Sequence, residues 1–109
     1  MAFDERLATR VRGHLEARTD LGERKMFGGL CFLVRGNMCC GLVGSDLMLR
    51  LGNDGAEAAL SEPGVRPMDF TGRPLRSMVY VSANAIEDDG DLESWLDRAL
   101  TFALSLPPK

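Results

Sequence analysis

The stretch "RKMFGGLCFLVRGNMCCGLVGSDLMLRL", residues 24–51, decides the fold of this chain. Gly36-Asn37 and Gly44-Ser45 are two-residue turn signals of the hairpin kind, and apolar residues rich in strand formers flank both of them. This pattern predicts three antiparallel strands at residues 30–35, 38–43 and 46–51.

The same turns predict which side chains share a face of the sheet. If both turns are tight, Arg35 lies opposite Met38 and Val43 lies opposite Asp46, which fixes the register. One face is then the predicted core, with Cys31, Leu33, Arg35, Met38, Cys40, Leu42, Leu47, Leu49 and Leu51. The other face is too apolar to be left wholly in water. Its candidate interface residues are Phe32, Val34, Cys39 and Met48.

The remaining elements are read from periodicity and helix caps. Helical spacing predicts a first helix at residues 4–18 with Asp4 as its cap, a short helix at 54–60 and a last helix at 90–106. Residues 77–83 form a predicted strand, residues 65–68 fit either an edge strand or a loop, and residues 19–29 are expected to be a connection. The order α-β-β-β-α-β(-β)-α favours an α+β fold with an antiparallel sheet, as one two-layer domain over residues 1–109.

Composition limits the classes of function. The chain has 109 residues, a formal net charge of −3 and a pI near 5.1. Generic nucleic-acid binding depends on cations that neutralise phosphates, so direct binding to DNA or RNA is not expected. The sequence contains no signal-peptide or membrane-spanning pattern, and its three cysteines favour reduced thiols in the cytoplasm.

The segment ahead of the first predicted strand is a candidate ligand or partner loop, formed by Arg24, Lys25, Met26, Phe27, Gly28 and Gly29. Two cations before exposed backbone amides can bind an anion. Known phosphate loops lead from a strand into a helix, however, whereas these glycines lead into a strand. A structural turn and a ligand site both stay open for this segment.

The cysteines and the single histidine carry no recognisable catalytic pattern. Neighbouring strand residues point to opposite faces, so Cys39 and Cys40 are not expected to bind one ion, and no CxxC spacing occurs. Cys31 and Cys40 are expected in the core, whereas Cys39 is the thiol that a sensor would use. His14 lies beside an apolar helical stripe and is expected to be a partly buried structural residue. No metal or cofactor is expected.

The irregular stretch at residues 62–78 contains further candidate interface residues, namely Arg66, Phe70, Arg73 and Arg76. Long irregular segments in small domains often bind partners, and arginine and phenylalanine suit an interface anchor. A solvated loop with Phe70 in the core is the other reading, and both remain open.

The chain resembles the TfoX N-terminal-domain family, also called the Sxy family. The resemblance rests on Met26-Phe27-Gly28-Gly29 opening a strand, on the hairpins that follow, on "RPMDFTGRPLRSMVYV" and on "LESWLDRALTFALSLPPK". It implies kinship with competence regulators that act with a cyclic-AMP-responsive transcription activator, and it implies no enzymatic activity. Those regulators carry a second, helical C-terminal domain, which is not expected in this chain.

Together these features predict a non-enzymatic protein-interaction module, as a homodimer, with a transcription factor or another protein as partner. A second copy would add buried surface to a domain of modest size. The alternatives are a small-ligand or anion-binding protein that uses the Arg24–Gly29 segment, and a thiol sensor that uses Cys39.

Overall fold

A computed structural model of the protein describes residues 3–26, 28–70 and 73–108. In chain order, the elements are α1 (Glu5–Glu16), β1 (Leu21–Met26), β2 (Gly29–Val34), β3 (Asn37–Val43), β4 (Asp46–Arg50), α2 (Gly52–Ala59), β5 (Val65–Phe70), β6 (Arg73–Val81), a short 3-10 turn (Ala83–Ala85) and α3 (Asp89–Ser105).

The six strands form one antiparallel sheet in the order β1-β2-β3-β4-β6-β5. Residues of all three helices share one core cluster with a single face of this sheet, including Leu15, Phe32, Ala56 and Leu96. The protein therefore has two layers, helices on sheet, and the predicted α+β class is confirmed. The uncertain segment at residues 65–68 is a strand at the sheet edge, as one of the two readings expected.

The prediction of a connection at residues 19–29 is wrong, because Leu21–Met26 is an edge strand paired with β2. Met26 pairs with Gly29 across a two-residue turn, and Gly28 has a φ of +74° that suits glycine. A side chain on Gly29 would lie 1.8 Å from the carbonyl oxygen of Leu42. Three consecutive charged residues, typical of a protected edge strand, hid the strand pattern.

The predicted turn between the first two strands is displaced by one residue. Val34 pairs with Asn37, so the turn residues are Arg35 and Gly36, with φ of 53° and 82°. A type I′ hairpin requires positive φ at both positions. Arg35 is the less obvious residue for such a turn. The displacement moves the partner of Leu33 from Cys40 to Met38, two positions along β3, so Cys31 and Leu33 still share a face with Met38 as predicted.

A β-bulge at Cys39 changes the other half of this pairing. Phe32 lies opposite Cys40 and Leu33 lies opposite Met38, so Cys39 is the extra residue on its strand. Cys39 and Cys40 consequently both belong to the core beneath the helices, and the argument that placed them on opposite faces is wrong. The second turn is as expected, with Val43 opposite Asp46.

Helix α1 begins where the sequence predicts. The Asp4 carboxylate accepts hydrogen bonds from the amides of Arg6 at 2.9 Å and Leu7 at 3.3 Å. The apolar stripe with Leu7, Val11 and Leu15 is buried. Within the described ranges, the helices are too short or too polar to cross a membrane.

Candidate functional site: the methionine face of the sheet

The face of the sheet opposite the helices carries a second, smaller apolar cluster. We call it the methionine face, because it contains five of the six methionines of the chain. Its buried members are Cys31, Met48, Met68 and Met78, and its partly buried members are Met26, Met38, Val43 and Tyr80. Methionine is flexible and polarisable, and it is common on protein surfaces that bind more than one partner.

Strand pairing aligns one continuous row of residues across this face. Each member is the direct partner of the next, from the β1 edge to the β5 edge, in the order Arg24, Cys31, Gly41, Met48, Tyr80 and Arg66. Direct partners in an antiparallel pair share a face. The row therefore has an apolar centre and an arginine at each end.

The centre of the row is closed by side chains that lie flat on the sheet. A Cβ atom on Gly41 would be 2.6 Å from Cε of Met48 and 3.1 Å from Sγ of Cys31. Met48 thus covers the space that the glycine leaves, which explains why Met48 and Cys31 are fully buried without a helix above them. Met26, Met38 and Tyr80 belong to the same cluster and are partly exposed.

The charges on this face differ in sign from those of the whole chain. The Arg66 guanidinium lies over the Tyr80 ring at 4.9 Å and donates to the Asp46 carboxylate at 2.6 Å and to Ser82 Oγ at 3.1 Å. Register places Arg24 opposite Cys31, whereas the Arg50 guanidinium lies over the ring of Phe102 in α3, 5.6 Å from its centroid. Among the described side chains, Arg24, Arg66 and Asp46 therefore flank the methionines, whereas the chain has a net charge of −3.

A groove of about 440 Å³ continues from the methionine face at Met78. It runs between α2 and the last two strands, and its walls include Ala56, Leu60, Pro67 and Arg76. Leu60 is 42% exposed, which makes it one of two large apolar side chains that are exposed in the described part of the chain. Apolar surface thus meets one cation, Arg76, and one carboxylate, Glu57, in this groove.

The structure separates the two cations of the Arg24–Gly29 segment. Arg24 pairs with Cys31 on the methionine face, whereas Lys25 pairs with Leu30, whose side chain belongs to the helix-side core. Met26 belongs to the methionine face, and Gly28 and Gly29 form the turn and the start of β2. Phe27 lies outside the described residues. The geometry of a hairpin accounts for this segment, and it does not direct Arg24 and Lys25 at one anion.

Three of the candidate interface residues lie on the other face from the one predicted. Phe32, Val34 and Cys39 are fully buried in the core beneath the helices, because the bulge at Cys39 shifts the pairing of β2 with β3 by one residue. These side chains are therefore not part of the surface of the folded protein.

The other candidates lie on or near the methionine face. Met48 is at its centre, Arg66 is at its β5 edge, and Arg76 lines the adjoining groove. Phe70 and Arg73 pair with each other at the end of the last hairpin, and their side chains lie outside the part that the structure describes.

All three thiols are buried, which bears on the thiol-sensor alternative. The pKa of the Cys40 thiol is raised well above its usual value. The largest cause is a hydrogen bond with Cys39, and burial is the second. Burial also raises the pKa of the Cys31 thiol. A reactive cysteine needs an accessible thiolate, so these raised pKa values and full burial favour inert core thiols.

His14 lies between α1 and α3 in a series of ion pairs. Its Nε2 is 2.8 Å from Asp97 Oδ1, and its side chain is only 6% exposed. Arg10 pairs with Asp89 at 3.0 Å and Arg18 with Asp97 at 3.7 Å, one helical turn on either side. The prediction that His14 is partly buried is confirmed. Among the described residues, no group of three or more His, Cys, Asp and Glu side chains is arranged to hold a metal ion.

Sequence reasoning missed most of the methionine face. It placed Met38 and Cys31 in the main core, assigned Met26 to the candidate loop and did not consider Met78 or Tyr80 as part of a site. A turn at Arg35-Gly36 alone would have left Cys31 opposite Cys40, and only the bulge at Cys39 brings Cys31 onto the same face as Met48.

The comparison with protein families agrees with this architecture. The sequence profile of the TfoX N-terminal domain matches residues 13–103, from within α1 to near the end of α3. Neither a curated protein nor a solved structure gives a significant match. Because the match covers most of the chain and both faces of the sheet, this protein belongs to the TfoX N-terminal domain family.

Proposed function

We propose that this protein is a non-enzymatic interaction module that serves as an adaptor or accessory factor in transcriptional regulation. The observation that carries the proposal is the family match over residues 13–103, which includes the whole sheet. At the level of the family, this match supports a module of the kind found in competence regulators. The fold supplies such a module with a broad sheet face that the three helices leave open.

The chemistry of the described side chains supports binding rather than catalysis. The histidine and its carboxylate partners join two helices, the cysteines are buried, and the pKa values of the Cys31 and Cys40 thiols are raised. General acid–base or nucleophilic catalysis requires such groups to reach a bound substrate. The groups that do reach the surface beside apolar side chains are arginines, which are frequent in protein interfaces.

The proposal is tested by affinity capture of the tagged protein from its own cell lysate, with nuclease present. We expect a transcription factor or a polymerase subunit to be retained. Phe32→Asp is the control bait, because a charge in the main core abolishes the fold and reveals proteins that bind any unfolded chain. Recovery of the chain alone, or of the same proteins with both baits, would refute the adaptor function.

We further propose that the module is a homodimer in the cytoplasm. The motivation is the modest size of the domain, since association adds buried surface to a small core. Native mass spectrometry and light scattering over a wide concentration range measure this directly. Dimer mass at micromolar concentration is the expected result, and a single-chain mass throughout would exclude self-association.

A further inference from the structure

We propose that the methionine face, with the groove that adjoins it at Met78, binds an acidic segment of a partner protein that presents apolar side chains between carboxylates. This inference rests on the proposed function, because both require a protein partner. It adds the site, the chemistry of the segment and the residues that select it.

The apolar side chains of the methionine face determine the first property of the partner, which is that it presents apolar groups. Met26, Met38, Val43 and Tyr80 are partly exposed above a fully buried layer of Cys31, Met48 and Met68. Unbranched thioether side chains rearrange at little cost and so fit apolar groups of different shapes. The groove, lined in part by Leu60 and Pro67, continues this apolar surface. Its volume of about 440 Å³ accommodates a few side chains but not a folded domain.

The charges determine the second property. Arg24 is exposed at one end of the row and Arg66 lies at the other end. Asp46, the aspartate among the described side chains of this face, is already bound to Arg66. Complementary charges around an apolar centre steer association and fix orientation, so carboxylates on the partner are favoured.

A second copy of the chain fits this face poorly. In a two-fold symmetric dimer the same patch meets itself, so the arginines of one copy would oppose those of the other. Like charges placed together across an interface are unfavourable. The proposed homodimer therefore uses another surface.

Nucleic acid is also a weaker fit than an acidic protein segment. Binding to phosphates requires many cations, whereas the described part of this face carries Arg24 and Arg66 on a chain of net charge −3. The aromatic ring of Tyr80 is already covered by the Arg66 guanidinium at 4.9 Å, so a base would have to displace that guanidinium in order to stack on Tyr80.

The test uses the full chain labelled with ¹³C at the methionine methyl groups, which places reporters directly in the face. The probe is an amphipathic peptide of leucine and glutamate, and its twin has lysine at every glutamate position. We expect the glutamate peptide to shift the resonances of Met26, Met38 and Met78, with affinity that falls as salt increases. The lysine twin should leave them in place.

Two variants on the same strand provide matched controls. Arg24→Glu reverses a charge on the methionine face, and we expect it to weaken binding of the glutamate peptide about tenfold. Lys25→Glu makes the same change on the opposite side of β1 and should leave the affinity unchanged. Both side chains are exposed, so neither variant threatens the fold.

The inference is overturned if the glutamate peptide causes no shift, if both peptides bind equally, or if both variants weaken binding alike. If a short DNA duplex shifts the methionine methyl resonances, the face binds nucleic acid. If dilution of the protein alone shifts them, the face binds a second copy of the chain. Lysate capture separates this inference from the proposed function. If the Arg24→Glu bait captures the same partner in the same amount as the wild-type bait, only the inference is refuted. If the wild-type bait captures no partner, the proposed function is refuted.

Discussion

The two faces of the sheet are buried by different means. On the helix-covered face, aliphatic and aromatic side chains such as Phe32, Leu42 and Leu49 pack between two layers and are fully buried. On the methionine face, Met48 and Cys31 reach the same burial under a single layer of flexible side chains. The comparison teaches that equal burial does not imply equal rigidity, and that the single layer is the better place for a partner to bind.

The largest difference between the faces is expected when a side chain is truncated in each. Phe32→Ala leaves a cavity between two layers and should lower the free energy of unfolding by ~3–5 kcal/mol. Met38→Ala, at a partly exposed site on the other face, should cost less than ~2 kcal/mol because its surroundings can collapse. Urea unfolding of both variants measures the difference, and equal losses would remove the distinction between the two faces.

The difference between the two faces does not extend to positions where backbone atoms, and not side chains, fill the space beside a residue. Gly29 starts β2, and its added Cβ would meet the Leu42 carbonyl oxygen, so Gly29→Ala should destabilise the fold by ~1–3 kcal/mol or more. Gly13→Ala is the control, since no atom lies within 4 Å of its added Cβ in α1. Thermal unfolding should show a gain of up to ~1 kcal/mol for the control. Tolerance of alanine at Gly29 would contradict the tight β1–β2 hairpin.

The thiols of the two faces should make stability sensitive to high pH. Folding raises the pKa of Cys40 on the helix-covered face and of Cys31 on the methionine face. The unfolded chain therefore loses these protons first as pH rises above the ordinary thiol pKa of about 8.5, and stability falls by up to ~1.4 kcal/mol per pH unit for each thiol. Below that pH there is no effect.

The measurement for this prediction is the free energy of unfolding of the wild type, Cys40→Ala and Cys31→Ala between neutral pH and pH 10. Each alanine variant should show a smaller decline with pH, whatever its stability at neutral pH. A decline as steep as that of the wild type in both variants would mean that the thiols do not cause the loss.

The smallest effect is expected at the ion pair that connects the helix layer to the edge of the sheet. Arg12 donates to both carboxylate oxygens of Glu23 on β1, and this contact lowers the pKa of Glu23. The stabilisation is present above the usual glutamate pKa and is lost as pH falls through the lowered value. Because the pair is partly exposed, Glu23→Gln should cost no more than ~1 kcal/mol at neutral pH.

Chemical unfolding at neutral and acidic pH tests this pair, with Lys25→Gln on the same face of β1 as the control. The loss for Glu23→Gln should shrink as the pH is lowered, while the control stays close to the wild type. A loss for Glu23→Gln that does not change with pH would indicate packing instead of charge.

Part of the fold follows from the sequence through local rules. The cap at Asp4, the helical stripes of α1 and α3 and the turn at Gly44-Ser45 depend on neighbours in the chain, and the structure contains all of them. Local periodicity and turn chemistry were sufficient for these elements. The α+β class follows from their order.

Only the tertiary structure decided which side chains share a face. Positive φ at Arg35, a bulge at Cys39 and an edge strand made of charged residues each depend on pairing with another strand, and a shift of one residue exchanges the faces of a strand. The sequence by itself determined the three helices and the strands β2, β3, β4 and β6, with Leu42, Leu47 and Leu49 in the core. The assembly of five methionines with Arg24 and Arg66 on one open face was determined by strand register, which no single segment encodes.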